Sequence, residues 1–352
     1  MKALITGGAG FIGQHLARRL RESWHLTALD VLNPQVHLDP DAARAAFPGE
    51  VVVGDVADTD AWARLTPPDL VIHLAAETGT AQSMYETDRY RRVNVEGTRL
   101  AGLAARRWGV PLVSLSSRAV YGEGRYRCPD GSVQFGSPTC PDAVPEASGE
   151  NDDHVPVSVY GQTKSEGEAI LHEFAAEIPI AIVRPQNVIG PGQALHNPYT
   201  GVLAAFLARL REGLPLLVYG DGHQTRDFVH VDDLTALIEW LAVRLTDEPP
   251  SLVTLNCGTG VRTNLEQLAA YAIAGTPTRT GSVEHVAVHR AGDIEHACAD
   301  LTLARTLGAP APRWSTEDAV AHFIAWSWDK PGAASQAWDA ALGELTERGL
   351  TS

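Results

Sequence analysis

The sequence is most informative at Thr6-Gly7-Gly8-Ala9-Gly10-Phe11-Ile12-Gly13, close to the start of the chain. This run follows a short apolar stretch and opens a segment of helical periodicity, the order of a dinucleotide-binding unit. In such a unit Gly7 allows a tight turn, Gly10 lets a pyrophosphate approach the backbone, and Gly13 lets helix and strand pack closely. The free N–H groups of the helix start favour an anion there. The run therefore predicts a phosphate-binding loop.

Glycine spacing alone is a weak signal, so the end of the second predicted strand matters. Asp30 stands there, 20 residues after Gly10. A carboxylate at this place bonds a ribose hydroxyl and repels a 2′-phosphate. The sequence therefore predicts NAD, and not NADP, as the cofactor. The alternative is a glycine turn that only serves packing.

Short apolar runs alternate with helical patterns through the N-terminal half. This repeat predicts a parallel sheet covered by helices on both faces. We therefore predict an α/β fold: a Rossmann-type, doubly wound parallel sheet with a smaller C-terminal α/β region that binds substrate. The predicted strands are Lys2–Thr6, His25–Asp30, Glu50–Gly54, Leu70–Leu74, Leu112–Ser116 and Ile180–Arg184, and the predicted helices include Ile12–Arg21, Tyr90–Trp108 and Ser158–Glu177.

The pattern changes after Arg184, which divides the chain. We expect residues 1–184 to form the NAD-binding domain, and residues 185–352 to form mainly the substrate region, with a part near 225–260 returning to the sheet. The predicted elements beyond Arg184 are helices near Tyr199–Glu212, Val231–Leu245 and Leu265–Ile273 and a strand near Val253–Asn256. Residues 118–157 are rich in Pro, Gly, Asp and Ser without periodicity and are predicted to be a long loop, a kind that is usually functional or disordered.

Composition limits the class of partner. The 352 residues include 28 Lys and Arg against 43 Asp and Glu, a net charge of −15, and 44% are hydrophobic. Such a balance disfavours sequence-independent binding to nucleic acid or to anionic lipid. No apolar run approaches 18 residues, and the first residues enter a predicted strand without a signal-peptide pattern. We expect a soluble cytoplasmic protein.

The cysteines predict neither a disulfide scaffold nor a metal site. There are four, Cys128, Cys140, Cys257 and Cys298, without a Cys-x-x-Cys pair. Two thiolates do not complete a tetrahedral zinc site, so a metal would need His154 or an acidic residue as well. We expect free thiols and no metal.

Two further motifs suggest chemistry on a hydroxyl group. Tyr160 and Lys164 are four residues apart on a predicted helix and share a face. A nearby ammonium and a cationic nicotinamide favour the phenolate of a tyrosine, whose ordinary pKa is about 10, and make it a proton acceptor. Ser117, just after the fifth strand, is placed to bond the same substrate oxygen. The alternatives are a solvated helix face and a serine-rich strand end that caps a turn.

Together the glycine loop, the serine cluster and the Tyr160/Lys164 pair resemble the extended branch of the short-chain dehydrogenase/reductase family, over nearly the whole chain. The resemblance implies Ser117, Tyr160 and Lys164 as a catalytic trio and Asn94 as a support near the site. Asp55, at the end of the third strand, either reaches an adenine amino group or caps a loop. The residues assigned to the cofactor are Gly7, Gly10, Phe11, Ile12, Gly13, Asp30, Asp55, Val56, Leu74, Ala75, Ala76, Asn94, Ser116, Tyr160, Lys164 and Pro185.

The same resemblance implies a nucleoside diphosphate sugar, of dTDP or UDP, as substrate. Arg226 and Arg290 would face its diphosphate, because the guanidinium fork matches phosphate geometry. For either arginine alone a surface salt bridge is the alternative. The residues assigned to the substrate are Thr78, Gln82, Ser117, Arg118, Tyr160, Asn187, Asn197, Arg226, Arg290 and Asp293.

The residues after Ser117 favour one reaction. Related dehydratases and decarboxylases carry acids there, whereas this chain has Arg118 and Ala119. The resemblance then implies a C4 epimerase with tightly held NAD, similar to the types that act on dTDP-L-rhamnose or UDP-hexoses. The segments that carry this similarity are 76–84, 117–128, 186–193 and 197–201. The alternatives are a 4-ketoreductase, a dehydratase, a decarboxylase and a non-enzymatic NAD sensor. The family also implies a homodimer through Tyr90–Trp108 and Ser158–Glu177.

Overall fold

The computed structural model describes residues 1–199, 201–247, 250–288 and 290–351. The strands are Lys2–Thr6 (β1), His25–Asp30 (β2), Glu50–Val53 (β3), Leu70–His73 (β4), Leu112–Leu115 (β5), Arg125–Arg127 (β6), Val133–Phe135 (β7), Val144–Glu146 (β8), Ile180–Pro185 (β9), Asn187–Ile189 (β10), Leu216–Tyr219 (β11), Thr225–Arg226 (β12), Phe228–His230 (β13), Leu252–Cys257 (β14), Thr263–Asn264 (β15) and Val283–Val286 (β16). The α-helices are Phe11–Leu20 (α1), Pro40–Ala46 (α2), Thr59–Ala63 (α3), Thr80–Ser83 (α4), Thr87–Tyr90 (α5), Gly97–Trp108 (α6), Val159–Phe174 (α7), Val202–Arg211 (α8), Val231–Asp247 (α9), Leu265–Ala274 (α10), Thr302–Thr306 (α11), Thr316–Ser327 (α12) and Gln336–Glu347 (α13).

Seven parallel strands form the central sheet in the order β14-β9-β5-β4-β1-β2-β3. The strand order reverses at β1, so the loops after β1 and β4 leave the sheet on opposite faces and open a crevice between them. All four residues of β4 are buried, as the apolar pattern of this strand predicts. The predicted Rossmann-type α/β fold is confirmed.

Helices cover both faces of this sheet. On one face α1 and α9 bury apolar side chains such as Leu16 and Leu241 in a shared core. On the other face α6 and α7 contribute Ala104, Leu171 and Phe174 to a second core. The sheet is therefore the middle of three layers, and a ligand can reach it at the strand ends.

The C-terminal half has its own small core but is tied to the sheet. Helices α8, α10 and α12 pack around Phe206, Leu268 and Phe323. Between them the chain returns to the sheet, where β14 pairs with β9 and Leu255 lies opposite Val183. Within the described ranges, no helix combines the length and the apolar character needed to cross a membrane.

Residues 118–157 are more ordered than a long loop. They contain a 3₁₀-helix, Arg118–Tyr121, and an antiparallel sheet in the order β7-β6-β8. The expectation of free thiols is wrong for Cys128 and Cys140, which form a disulfide. Cys128 follows β6, and the return from β7 to β8 carries Cys140 back to the same end of β6, so their Cα atoms lie 6.0 Å apart. Cys257 and Cys298 are free and buried.

The predicted helix Tyr90–Trp108 is interrupted. A π-helix, Arg91–Glu96, joins α5 to α6. A π-turn adds a residue to the helical turn and often marks a functional site, because it re-aims one side chain. Here Asn94 is the buried side chain of that segment.

The glycine loop shows why Gly7 and Gly13 carry no side chain. Gly7 adopts a φ of +68°, a conformation that L side chains rarely take. At Gly13, a Cβ would lie 2.4 Å from the carbonyl oxygen of Gly7 and 2.6 Å from Cα of Gly8. The close contact between α1 and the loop thus requires glycine.

We predict that Gly13→Ala lowers the free energy of unfolding by about 1–3 kcal/mol, because the added methyl forces the loop backbone to shift. Gly343→Ala is the control, since Gly343 also lies inside a helix but a Cβ there meets nothing within 4 Å. That change is expected to stabilise by about 0.5–1 kcal/mol. Chemical denaturation measures both, and a Gly13→Ala protein as stable as wild type would contradict the packing argument.

Candidate functional site

A cavity of about 1080 Å³ opens at the carboxyl ends of the sheet strands. Every residue assigned to the cofactor contributes to its lining except Asn94. Among the residues assigned to the substrate, Thr78, Ser117, Tyr160, Asn187 and Asn197 also line it. One cavity therefore joins the glycine loop to the Tyr160 region.

The start of α1 fits the diphosphate of a dinucleotide. Its N-cap, Gly10, makes no side-chain capping hydrogen bond, and the first turn holds no acidic residue. Gly10, Phe11 and Ile12 line the cavity, so the helix start faces open space. An uncapped helix start of this kind provides N–H donors and partial positive charge for an anion.

Asp30 links the glycine loop to the end of β2. One carboxylate oxygen accepts a hydrogen bond from the Ala9 N–H at 3.0 Å, and the other accepts from the Leu32 N–H at 2.9 Å. His37 Nε2 lies 3.8 Å from the second oxygen. Each oxygen keeps a lone pair, so the carboxylate can still accept from a ribose hydroxyl.

Of the two roles predicted for Asp55, an adenine contact or a loop cap, the structure shows the loop cap. Its Oδ1 accepts from the Ala57 N–H at 2.8 Å, and its Oδ2 pairs with Arg92 at 2.8 Å. The adenine contact of Asp55 stays a prediction. Arg92 also lines the cavity, and its sequence position in a helical pattern gave no signal of this role.

Ser117, Tyr160 and Lys164 meet on one side of the cavity. The Ser158 hydroxyl accepts from the Gly161 N–H at 3.1 Å and starts α7, which presents Tyr160 and Lys164 on one face. Lys164 Nζ donates to the Leu115 carbonyl at 2.8 Å. Ser117 forms a side-chain hydrogen bond with Tyr160. The end of β5 and the first turns of α7 thus assemble the trio.

Burial controls the protonation of this group. Burial raises the pKa of Tyr160 above its ordinary value, although the Ser117 hydrogen bond and the positive charge of Arg118 lower it. Burial lowers the pKa of Lys164 to about 8, against the opposing effect of Glu168. The sequence suggested Lys164 as the cation that favours the phenolate. In the structure the cation that lowers the pKa of Tyr160 is Arg118, and the opposing effect of burial is larger.

A buried ion pair behind the trio fixes these elements. Glu168, four residues after Lys164, pairs with Arg184 of β9 at 2.6 Å and accepts a short hydrogen bond from Ser116. Arg184 donates to the Tyr121 hydroxyl at 2.8 Å, and that hydroxyl donates to Asn256 of β14 at 2.8 Å. Sequence reasoning missed Glu168. Its i, i+4 spacing from Lys164 was the available signal.

Asn94 supports the site from outside the cavity. Its side-chain amide accepts from the Glu77 N–H at 2.8 Å and donates to the Glu77 carbonyl at 3.1 Å and to the Thr163 hydroxyl at 3.0 Å. It therefore ties the loop after β4 to α7. Glu77, which lines the cavity and pairs with Arg89 at 2.7 Å, was also missed.

Several residues assigned to the substrate lie outside the cavity lining. Gln82 is buried and accepts from Gln35 at 3.0 Å. Arg118 makes no hydrogen bond or ion pair with the residues that the structure describes; burial and the nearby charge of Arg226 lower its pKa to about 10. Thr200, within the predicted segment 197–201, lies outside the described residues.

The two arginines assigned to the diphosphate have protein partners. Arg226 donates to the backbone carbonyls of Thr225, Ile294 and Glu295 at 2.6–3.2 Å. Arg290 pairs with Asp293 at 2.9 Å, and its guanidinium lies 5.2 Å from the ring centre of Tyr219. The salt bridge considered as the alternative is thus present for Arg290. Contact of either arginine with a diphosphate stays a prediction.

Among the described residues, no three His, Cys, Asp or Glu side chains are grouped to hold a metal ion. His154, the residue that a cysteine site would have needed, instead bonds the Ser165 hydroxyl at 2.8 Å.

Comparison with known proteins gives consistent matches over most of the chain. The profile of the NAD dependent epimerase/dehydratase family matches residues 3–258. The chain is 36% identical over 351 residues to a dTDP-L-rhamnose 4-epimerase of Burkholderia thailandensis, covering 92% of this chain and 94% of that protein. It is 30% identical over 342 residues to a dTDP-glucose 4,6-dehydratase of Streptomyces griseus, covering 93% and 96%. A solved structure of UDP-glucuronic acid 4-epimerase from Bacillus cereus, in complex with UDP-glucuronic acid and NAD, matches with a TM-score of 0.78 at 25% identity, covering 93% of this chain and 98% of that one.

We predict that Asp30→Ala weakens NAD binding about tenfold or more, because the loop N–H of Ala9 and the ribose both lose an acceptor. Calorimetric titration with NAD measures the change. Asp58→Ala is the control: Asp58 likewise accepts a backbone N–H, that of Asp60, at the start of α3 but lies outside the cavity lining. Equal NAD affinity in wild type and Asp30→Ala would refute the assignment.

His73 makes the stability of the protein sensitive to acid. Burial and the charge of Lys164 lower its pKa to about 3, and its ring bonds the hydroxyls of Thr6 at 2.8 Å and Thr98 at 3.1 Å. Since the pKa in the unfolded chain is about 6.5, the proton binds preferentially to the unfolded state. The stabilisation of the folded protein by the neutral His73 imidazole is therefore complete above pH 6.5 and is lost as the pH falls toward 3.

We predict that, as the pH falls from 6.5 to 4.5, the free energy of unfolding of wild type decreases relative to that of His73→Gln. The decrease is at most about 1.4 kcal/mol for each pH unit. Urea denaturation at several pH values measures this difference. His25→Gln, at an exposed strand position, provides the control. A His73→Gln protein with the same acid profile as wild type would show that this imidazole is not the group responsible.

Proposed function

This chain belongs to the NAD-dependent epimerase/dehydratase family, and from that premise we propose that it is a nucleotide-sugar 4-epimerase. The substrate is a dTDP- or UDP-linked hexose, of the dTDP-L-rhamnose or UDP-hexose type. One observation carries the proposal: Ser117, Tyr160 and Lys164 line one wall of the cavity that holds the glycine loop, and a cation follows Ser117 where an acid would promote elimination.

The residues of the trio have separable tasks in this reaction. Tyr160 accepts the proton of the C4 hydroxyl and returns it at the end of the cycle. Ser117, already hydrogen-bonded to Tyr160, holds the same substrate oxygen. Arg118 provides positive charge that favours the phenolate, and we propose that Lys164 adds to it when substrate and cofactor are bound. The bound cofactor supplies reversible hydride transfer at C4, and the glycine loop, Asp30 and Pro185 would hold it there. Inversion requires the 4-keto sugar to turn within the cavity before reduction on its other face.

The surroundings of Ser117 favour epimerisation over elimination. A dehydratase needs a further acid near the sugar ring, and the two residues after Ser117 are Arg118 and Ala119. Glu123 follows in the same segment, but both its oxygens accept from the Glu295 N–H at 3.0 Å, and one lies 3.3 Å from the Tyr126 hydroxyl. Its carboxylate is thus held by a protein loop.

The diphosphate would bind between the two halves of the chain. Arg226 lies within electrostatic range of both Arg118 and Arg290, and all three arginines lie within electrostatic range of Asp293. An additional anion there is favoured by the guanidinium of Arg118, which has no ion-pair partner in the part of the chain that the structure describes. The net charge of −15 does not oppose this, because charges beyond a Debye length of about 8–10 Å are largely screened.

The proposal includes a homodimer in the cytoplasm. The helices that the family would use are α6 and α7, which pack side by side on one face of the sheet. Support for both statements comes from the family alone.

We predict that Tyr160→Phe keeps bound NAD but lowers kcat at least 100-fold, because the phenol oxygen that moves the proton is missing. NMR of mixtures with dTDP-, UDP-, GDP- and CDP-sugars measures the interconversion of 4-epimers. Tyr271→Phe, on α10 and outside the cavity lining, is the matched control.

Three outcomes would contradict the proposal. Wild type with bound NAD that acts on no 4-epimer pair would refute the epimerase. Release of water or carbon dioxide, or consumption of added NADH, would select a dehydratase, decarboxylase or ketoreductase. A Tyr160→Phe protein as active as wild type would refute the mechanism.

A further inference from the structure

Helix α13 and residues 348–351 contact segments near the Tyr199 side of the cavity. We name residues 336–351, which comprise α13 and Arg348–Thr351, the C-terminal strap. From α13, Glu344 accepts a hydrogen bond from the Tyr199 hydroxyl at 2.8 Å. Tyr199 lines the cavity, two residues after Asn197, whose side-chain oxygen accepts the Tyr199 N–H at 3.1 Å.

The strap also contacts the segment after β4. Arg348 pairs with Glu344 at 2.9 Å, and its guanidinium lies 4.2 Å from the ring centre of Tyr85. Tyr85 in turn forms a side-chain hydrogen bond with Tyr199. Helix α4, just before Tyr85, follows Thr78, another residue of the cavity lining. Glu344 and Arg348 thus join two loops that are more than 100 residues apart in sequence.

The end of the strap binds a third segment through backbone atoms. The Ala291 N–H donates to the Leu350 carbonyl at 2.8 Å, and Arg290 forms an antiparallel bridge with Thr351. Arg290 and Asp293 come after β16, outside the main sheet. Among the described residues, Arg290 is held by its pair with Asp293, its contact with Tyr219 and its bridge to the strap.

We propose that the C-terminal strap positions Arg290 and Tyr199 to bind a sugar nucleoside diphosphate. This inference rests on the proposed function. It extends that function to residues outside the cavity, because Glu344, Arg348 and residues 349–351 do not line it. Loops that are already ordered lose less conformational entropy when a ligand binds, so the strap contributes to substrate affinity by preorganisation. NAD binding, on the opposite side of the cavity, does not depend on it.

Two variants test the strap in the NAD-loaded protein. The first ends at Arg348 and so lacks the bridge to Arg290 and the Leu350 carbonyl; the second, Glu344→Gln, loses the charge that pairs with Arg348. We expect each to weaken UDP-glucose or dTDP-glucose binding about tenfold by calorimetry. In turnover assays KM should rise while kcat and bound NAD stay near wild type. Arg19→Ala, which removes a surface pair with Glu239 at 2.5 Å between α1 and α9, is the matched control.

The outcomes separate this inference from the proposed function. An unchanged Kd for the sugar nucleotide in both variants would refute the positioning role of the strap. Tighter binding would also refute it, because it would show that residues 349–351 obstruct the site. Loss of NAD from both variants would reduce the strap to a structural role and refute the positioning. Weaker sugar-nucleotide binding with unchanged NAD supports it, even if wild type forms no 4-epimer. The absence of a 4-epimer product in wild type would refute only the proposed epimerase activity.

Discussion

The structure depends on the contact between the start of α1 and the loop that precedes it. At Gly13 the helix backbone lies against the carbonyl of Gly7 and the Cα of Gly8, with no room for a methyl group. This contact directs the axis of α1 toward the crevice beside β1, and the Ala9–Asp30 hydrogen bond holds the loop to the neighbouring strand. The start of α1, the carboxylate of Asp30 and the glycine-loop side of the cavity take their positions from it.

On the other side of the cavity, buried ionisable groups are stabilised by partners that are distant in sequence. Burial disfavours both the phenolate of Tyr160 and the ammonium of Lys164, raising one pKa and lowering the other. Glu168 is shared between Lys164 and the buried Arg184, so its charge is compensated without a solvent contact. A buried pair of this type contributes most by defining one arrangement, because desolvation offsets much of its attraction. It keeps β5, α7 and β9 in fixed register around Ser117.

The sequence identifies the parts of the site that are encoded locally. The glycine loop, Asp30 and the i, i+4 pair Tyr160 and Lys164 are readable because a few neighbouring residues define their geometry. Partners supplied by distant segments are not readable in this way. The π-helix that re-aims Asn94, the carbonyl contacts of Arg226 and the disulfide between Cys128 and Cys140 all depend on tertiary packing. The same holds for α13, whose pattern does not show what it packs against.

The return of the chain to the central sheet has a consequence for biosynthesis. Strand β14 pairs with β9 only after some 70 intervening residues, so the dinucleotide half remains open at one edge until residue 257 has been made. Before then β9 exposes unpaired backbone groups, which favour edge-to-edge association. Pairings this distant slow folding because the connecting loop must first be closed. The two halves therefore mature as one cooperative unit, and a chain cut at residue 184 would leave a sheet with an unprotected border.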